Sequence, residues 1–123
     1  MTSERPDRRR VVRLVVPRHL TGPGFELRLV RLLDLSAEGA RIEHPEHLHE
    51  GLACYVDLTP ALGRGRLTGR VVWTSRHGRE QTYEGETRVY YHSGLAFINL
   101  TAEQQAKVAD ALQILQTEVP DGK

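Results

Sequence analysis

The chain has 123 residues, 39% of them hydrophobic and 27% charged, which is enough for one globular domain with a single core. Its formal net charge of +1 argues against a protein whose whole surface binds nucleic acid or anionic lipid. No apolar run approaches the roughly 20 residues that span a bilayer. The lone Cys54 excludes an intramolecular disulfide and a multi-cysteine zinc site. We therefore expect a cytoplasmic protein that is not inserted in a membrane.

The charges are distributed unevenly along the chain. The first twenty residues contain six arginines and two carboxylates, whereas the residues after Leu100 contain four carboxylates and two lysines. An anion-binding site should therefore be local and close to the N-terminal end. We predict a flexible basic N-terminus over residues 1–8, one domain over residues 9–118 and a C-terminal tail over residues 119–123.

Hydrophobic periodicity predicts β-strands through most of the chain. The β-branched run over residues 11–16 ends at Pro17 and forms the first predicted strand. Residues 26–35 alternate with a period of two and form the second. Its predicted core face consists of Leu27, Leu29, Leu33 and Leu35, with Arg31 as the exception.

Four further strands follow the turn after the second strand. Residues 40–43, 52–58 and 67–73 each alternate between apolar and polar positions, and residues 88–99 do so again. The polar segment 76–87, between the last two strands, is predicted to be a long loop.

The last part of the chain has a helical pattern. Thr101 and Gln104 have the spacing of a capping box, and Pro120 ends the pattern. The apolar stripe consists of Val108, Leu112, Leu115 and Val119. Six short antiparallel strands followed by one helix predict a small antiparallel β-barrel whose open end or flank the helix covers.

The residues that could support catalysis or metal binding form no convincing site. His44, His47 and His49 lie in a polar segment without a nearby cysteine, which favours a solvated loop over a metal site. Ser36 and Ser93 lack the sequence context of a catalytic nucleophile, and no phosphate-binding glycine loop is present. We therefore expect neither enzymatic activity nor a cofactor.

The entrance to the first strand has two arginines with four-residue spacing, Arg9 and Arg13. In an extended chain both point away from the apolar side formed by Val12, Leu14 and Val16, so they should face solvent. A guanidinium group binds phosphate oxygens and the guanine O6/N7 edge with paired hydrogen bonds, and it also stacks on purines.

A second cluster follows the second predicted strand. Asp34 and Ser36 share one face at its end, and Gly39 permits a positive φ or the close approach of a ligand to the backbone. A carboxylate is the acceptor that the N1 and N2 hydrogens of guanine require. Trp73 is predicted to be a core or rim aromatic, and an aromatic at the end of a strand can also stack on a base. The sequence leaves these two roles for Trp73 open.

In this order and spacing, RRVVR and DLSAEG resemble the two motifs of the PilZ domain family, R-x-x-x-R and [DN]-x-S-x-x-G, and the resemblance extends from about residue 8 to 115. It implies a six-stranded antiparallel barrel with a C-terminal helix, and binding of the bacterial second messenger cyclic di-GMP. Arg9 and Arg13 would contact phosphate and guanine, Asp34 and Ser36 a guanine edge, and Gly39 would admit the nucleotide. Arg5 also lies four residues before Arg9, but its distance from Asp34 fits the family pattern less well.

The resemblance also implies how such a receptor would work. Arg8, Arg10 and Arg41 are secondary ligand candidates, and the extra cation at Arg8 favours a stacked pair of nucleotides. Ordering of the N-terminal segment would signal to an effector protein in motility or biofilm regulation, since no output domain is expected. The alternative is a PilZ-like adaptor that binds no nucleotide and acts by protein contact in pilus or motility assembly. No DNA or RNA partner is expected.

Overall fold

The computed structural model describes residues 10–17, 25–81, 84–85 and 87–117. Its elements in chain order are β1 (Val11–Pro17), β2 (Phe25–Leu35), β3 (Gly39–His44), β4 (Ala53–Leu58), a short 3-10 helix (Pro60–Leu62), β5 (Gly65–Gln81), β6 (Thr87–Phe97) and α1 (Ala102–Thr117). The strands form a closed antiparallel barrel in the order β1-β2-β3-β6-β5-β4, which confirms the predicted fold. The predicted N-terminal segment 1–8 and tail 119–123 lie outside the described residues.

Strand β1 contributes fully buried side chains to the hydrophobic core of the barrel. Val12 and Leu14 are fully buried, and the exposed Arg13 between them points to the outside of the barrel. This alternation confirms the predicted orientation of Arg13. The inner faces of the other strands complete the core, mainly with Val30, Leu32, Ile42, Cys54, Val56, Leu67, Val71 and Leu95.

The predicted core face of β2 is wrong. Leu27 and Leu29 are 63% and 67% exposed, whereas Val30 and Leu32 are buried. The register between β2 and β3 shifts after Leu32, where a β-bulge adds one residue to β2. Because an added residue inverts the alternation of side chains, no single period-two pattern describes the whole strand.

The predicted loop over residues 76–87 is also wrong, because β5 continues to Gln81 and β6 begins at Thr87. These ends form a two-stranded hairpin that extends past the barrel, since β4 pairs with β5 only as far as Arg70. Cross-strand ring contacts hold the hairpin, including a stack of His77 on His92 with ring centroids 3.7 Å apart. Thr87 and Arg88 are exposed and Val89 and Tyr90 are half-buried, so this end of β6 carries no clear alternation of buried and exposed positions.

The capping box at the start of α1 is confirmed. The Thr101 amide donates to Gln104 Oε1 at 2.9 Å, and the Gln104 amide donates to Thr101 Oγ1 at 3.1 Å. Val108 and Ala111 are buried against the barrel, while Leu112 and Leu115 pack at its margin. Among the described residues, no helix is long and apolar enough to cross a membrane.

Candidate functional site

The outer faces of β1, β2 and β3 form one continuous surface, and Arg13 stands on it. Its cross-strand neighbours are Leu29 on β2 and Asp57 on β4. Asp57 is already bound by Arg66, whose Nε and Nη2 donate to its two oxygens at 2.7 and 3.0 Å. Within the described part of the chain, Arg13 has no carboxylate at ion-pair distance. Its guanidinium is therefore available to an anion.

Arg10 brings the start of β1 close to the second motif. It lines an open groove of about 500 Å³ together with Asp34 and with Leu112, Leu115 and Gln116 of α1. Arg10, which lies between the two arginines of the first predicted motif, is thus beside Asp34 of the second. Arg8 and Arg9 lie outside the described residues, so their predicted roles stay predictions.

Asp34 forms an ion pair with Arg41 on the adjacent strand. Arg41 Nε donates to Asp34 Oδ2 at 2.6 Å, and about half of each side chain is exposed. The two residues are direct cross-strand partners, so the register of β2 and β3 brings them together. A ligand can reach both side chains from solvent, and it would meet a carboxylate and a guanidinium side by side.

Ser36 closes the tight connection between β2 and β3. Its hydroxyl accepts hydrogen bonds from the amides of Glu38 and Gly39, both at 3.2 Å. The Ser36 amide donates to the Gly39 carbonyl at 2.8 Å. These bonds are those of a side chain that stabilises a turn. Ser36 therefore shapes the hairpin, and its predicted contact with guanine stays a prediction.

Gly39 is required by the neighbouring strand. A Cβ atom at this position would overlap the carbonyl oxygen of Leu95 and lie 3.1 Å from its carbonyl carbon. The obstacle is the backbone of β6, which pairs with β3 at this point. Packing against β6 therefore requires glycine at this position of the second motif, whether or not a ligand binds.

Trp73, which the sequence assigns either to the core or rim or to a stacking surface, belongs to the same outer surface as Asp34 and Arg41. The strand register places Asp34, Arg41, Gly94 and Trp73 in one row across β2, β3, β6 and β5. The Trp73 ring lies over Gly94, where a Cβ atom would be 2.9 Å from its Cδ1, and 38% of the residue is exposed. A register shift after Val71 turns the indole outward.

The histidines of the segment between β3 and β4 have different environments. His47 and His49 are exposed as predicted, but His44 is buried, which contradicts the predicted solvated loop at this position. Its Nε2 bonds to Ser93 Oγ at 2.7 Å and its Nδ1 to the Glu46 carbonyl. No group of three or more potential metal ligands occurs in the residues that the structure describes.

Burial makes His44 a source of acid sensitivity. Desolvation lowers the pKa of His44 below its ordinary value of 6.5, the Glu46 carbonyl opposes this, and His92, His47 and Arg28 add to it. A lowered pKa means that the unfolded chain binds a proton more readily, so stability is complete above about pH 6.5 and decreases below it.

We expect the unfolding free energy of the wild type to decrease between pH 7.5 and 5.5 more steeply than that of His44→Gln. The difference due to His44 is at most about 1.4 kcal/mol for each pH unit. Urea denaturation at pH 7.5 and at pH 5.5 measures this difference in unfolding free energy. His49→Gln, at an exposed histidine, is the matched control. An equal slope for wild type and His44→Gln would contradict the assignment.

Comparison with known proteins identifies the family of the chain and structures with a similar fold. The sequence matches the model of the PilZ domain over residues 3–113. The fold is similar to the PilZ domain of YcgR from Escherichia coli, solved with c-di-GMP, with a TM-score of 0.63 and 17% identity over 88% of this chain and 83% of that one. No curated protein sequence matches the chain.

A second relative in structure is MrkH. A structure described as a c-di-GMP-dependent transcription regulatory factor gives a TM-score of 0.59 and 18% identity over 89% of this chain and 47% of that one. The structure of K. pneumonia MrkH in its apo state gives a TM-score of 0.62 and 14% identity over 95% of this chain and 50% of that one. The chain therefore spans about half the length of MrkH. At sequence identities this low, the structural similarity establishes a shared fold and nothing more.

Proposed function

Because the chain belongs to the PilZ domain family, we propose that it is a receptor for cyclic di-GMP. The proposed ligand-binding residues are Arg9, Arg13, Asp34, Ser36 and Gly39. The observation that carries the proposal is the common outer surface of β1, β2 and β3, which holds both the Asp34 and Arg41 pair and an exposed Arg13 that has no ion-pair partner among the described residues.

The chemistry of this surface suits a guanine nucleotide with two phosphates. Arg13 offers a permanently charged group with several donors to the phosphate oxygens. The Asp34 carboxylate can accept hydrogen bonds from guanine N1 and N2, and the guanidinium of Arg41 suits the O6/N7 edge. Trp73 adds an exposed aromatic ring in the same row, on which a base can stack.

The proposal extends to signalling. Contacts from both Arg9 and Arg13 to one nucleotide would tie the N-terminal residues to the barrel surface. Ordering each residue costs about 1–2 kcal/mol, which charge-assisted hydrogen bonds and stacking would offset. An effector protein would then recognise the surface that results.

Calorimetric titration with cyclic di-GMP tests the receptor function directly. We expect binding with a dissociation constant of about 1 μM or lower, and a change in the emission of Trp73, which is the only tryptophan of the chain. Cyclic di-AMP is the control ligand, because adenine lacks the N1 and N2 donors that Asp34 would bind. Absence of heat and of a fluorescence change at millimolar cyclic di-GMP would contradict the proposal.

Stacking on Trp73 has its own test. We expect Trp73→Ala to weaken binding by about 5- to 150-fold, since loss of base stacking costs about 1–3 kcal/mol, while Trp73→Phe should recover part of the affinity. Val72, which is exposed on the same strand, provides the control variant Val72→Ala. Equal affinities of the wild type and Trp73→Ala would exclude a stacking role.

The alternative function is that of an adaptor that binds no nucleotide and acts by protein contact. The observation in its favour is the Asp34 and Arg41 ion pair, since each side chain satisfies the other without a ligand. The titration distinguishes the two functions. An adaptor would produce no heat with the nucleotide and would keep its partner when Arg9 and Arg13 are both replaced.

A further inference from the structure

A third exposed arginine, which belongs to neither motif, lies on the same surface. Arg31 is on β2 between the buried Val30 and Leu32, so its side chain points outward. Its direct cross-strand neighbours are Val11 on β1 and Glu43 on β3. In the sequence, Arg31 is the exception to the apolar face predicted for this strand, but its neighbours come from two other strands and are given by the structure.

Arg31 occupies the centre of the surface. Arg13 pairs with Leu29, so Arg31 is its diagonal neighbour on β2. Glu43 is opposite Arg31, so Arg41, two residues away on β3, is its diagonal neighbour on the other side. Diagonal neighbours in an antiparallel sheet are about 7–8 Å apart. Three arginines on three adjacent strands thus follow one another diagonally across this surface.

The ion pair of Arg31 is looser than those of its neighbours. Its Nη1 lies 3.7 Å from Glu43 Oε1, which is beyond hydrogen-bond distance, and 56% of its side chain is exposed. The other oxygen of Glu43 bonds to His92 Nε2 at 3.0 Å. His77 stacks on the ring of His92 and limits its movement. Glu43 is therefore held by His92, and the donors of Arg31 remain accessible.

We infer that Arg31 is a further anion-binding residue of this surface, which contacts a phosphate oxygen of a nucleotide lying between Arg13 and Arg41. The inference rests on the proposed function, because it assigns a residue to the same site. It follows from the position of Arg31 between two ligand candidates and from its exposed, loosely paired guanidinium.

Titration of Arg31→Gln with cyclic di-GMP tests the inference. We expect about tenfold weaker binding and a smaller loss of affinity on raising the salt concentration, because one charge contact is absent. Arg31→Lys should recover much of the affinity. The matched control is Arg76→Gln, which removes an exposed strand arginine opposite Tyr91, on the face of the hairpin away from His92.

A second variant makes a prediction in the opposite direction. Glu43→Gln removes the negative charge near Arg31 and keeps an oxygen for His92, so we expect binding about threefold tighter. A variant that fails to fold would bind the nucleotide more weakly, so misfolding cannot account for tighter binding by Glu43→Gln. Wild-type affinity in Arg31→Gln, or weaker binding in Glu43→Gln, would overturn the inference and leave the receptor function intact. Absence of binding by the wild type would instead overturn the proposed function, and this inference with it.

Discussion

Gly39→Ala is expected to destabilise the barrel by about 3 kcal/mol or more. The added methyl group would overlap the carbonyl oxygen of Leu95, which belongs to the backbone of β6. A flexible side chain could move away, but a paired strand cannot do so without breaking the β3–β6 ladder. The cost is therefore that of a displaced strand, which is much larger than that of a crowded side chain.

Urea denaturation of wild type and Gly39→Ala measures this cost. Gly51→Ala is the matched control, since Gly51 has a φ of 89° but nothing within 4 Å of its Cβ position. The control should lose only about 1 kcal/mol, for the unfavourable backbone conformation. A similar small loss in both variants would show that β6 can yield. If Gly39→Ala is destabilised as expected, weaker nucleotide binding by this variant cannot be attributed to a lost ligand contact.

Arg13→Ala is expected to lower the affinity for cyclic di-GMP by about 10- to 150-fold, since a charge-assisted contact to phosphate is worth about 1.5–3 kcal/mol. Arg13 is exposed and without an ion-pair partner within the described residues, so its charge is available to the ligand. For the same reason its removal should leave the unfolding free energy within about 0.5 kcal/mol of the wild type.

Calorimetry and denaturation of the same Arg13→Ala preparation separate the two effects. Asp34→Ala should weaken binding as well, and it also leaves Arg41 without its partner. Unchanged affinity in Arg13→Ala would remove the main support for the receptor function. A large loss of stability would show that the residue acts through the fold.

Several elements were predictable because their signals are local. The alternation of Val12, Arg13 and Leu14 predicted which face of β1 is buried, and Thr101 with Gln104 predicted the start of α1. Neither requires knowledge of a distant part of the chain, because strand periodicity and helix capping act over a few residues.

The errors have a common physical cause. Leu27 and Leu29 were placed in the core because the pattern of β2 was treated as one period, but the bulge after Leu32 depends on pairing with β3. The segment after Arg76 was predicted to be a loop because its strand structure depends on cross-strand contacts between β5 and β6. His44 was placed in solvent because its partner Ser93 is 49 residues away in the sequence.

The sequence by itself therefore determined the class of the fold, the outward direction of Arg13 and the two motifs that indicate the family. Local periodicity and residue chemistry are sufficient for these. Only the tertiary structure decided which residues share the candidate surface: it brought Arg31 and Trp73 to the surface that holds Asp34 and Arg41, and it gave Gly39 a role in packing. These relations depend on strand register, which is set by bulges and by pairing between distant segments, and no local pattern encodes it.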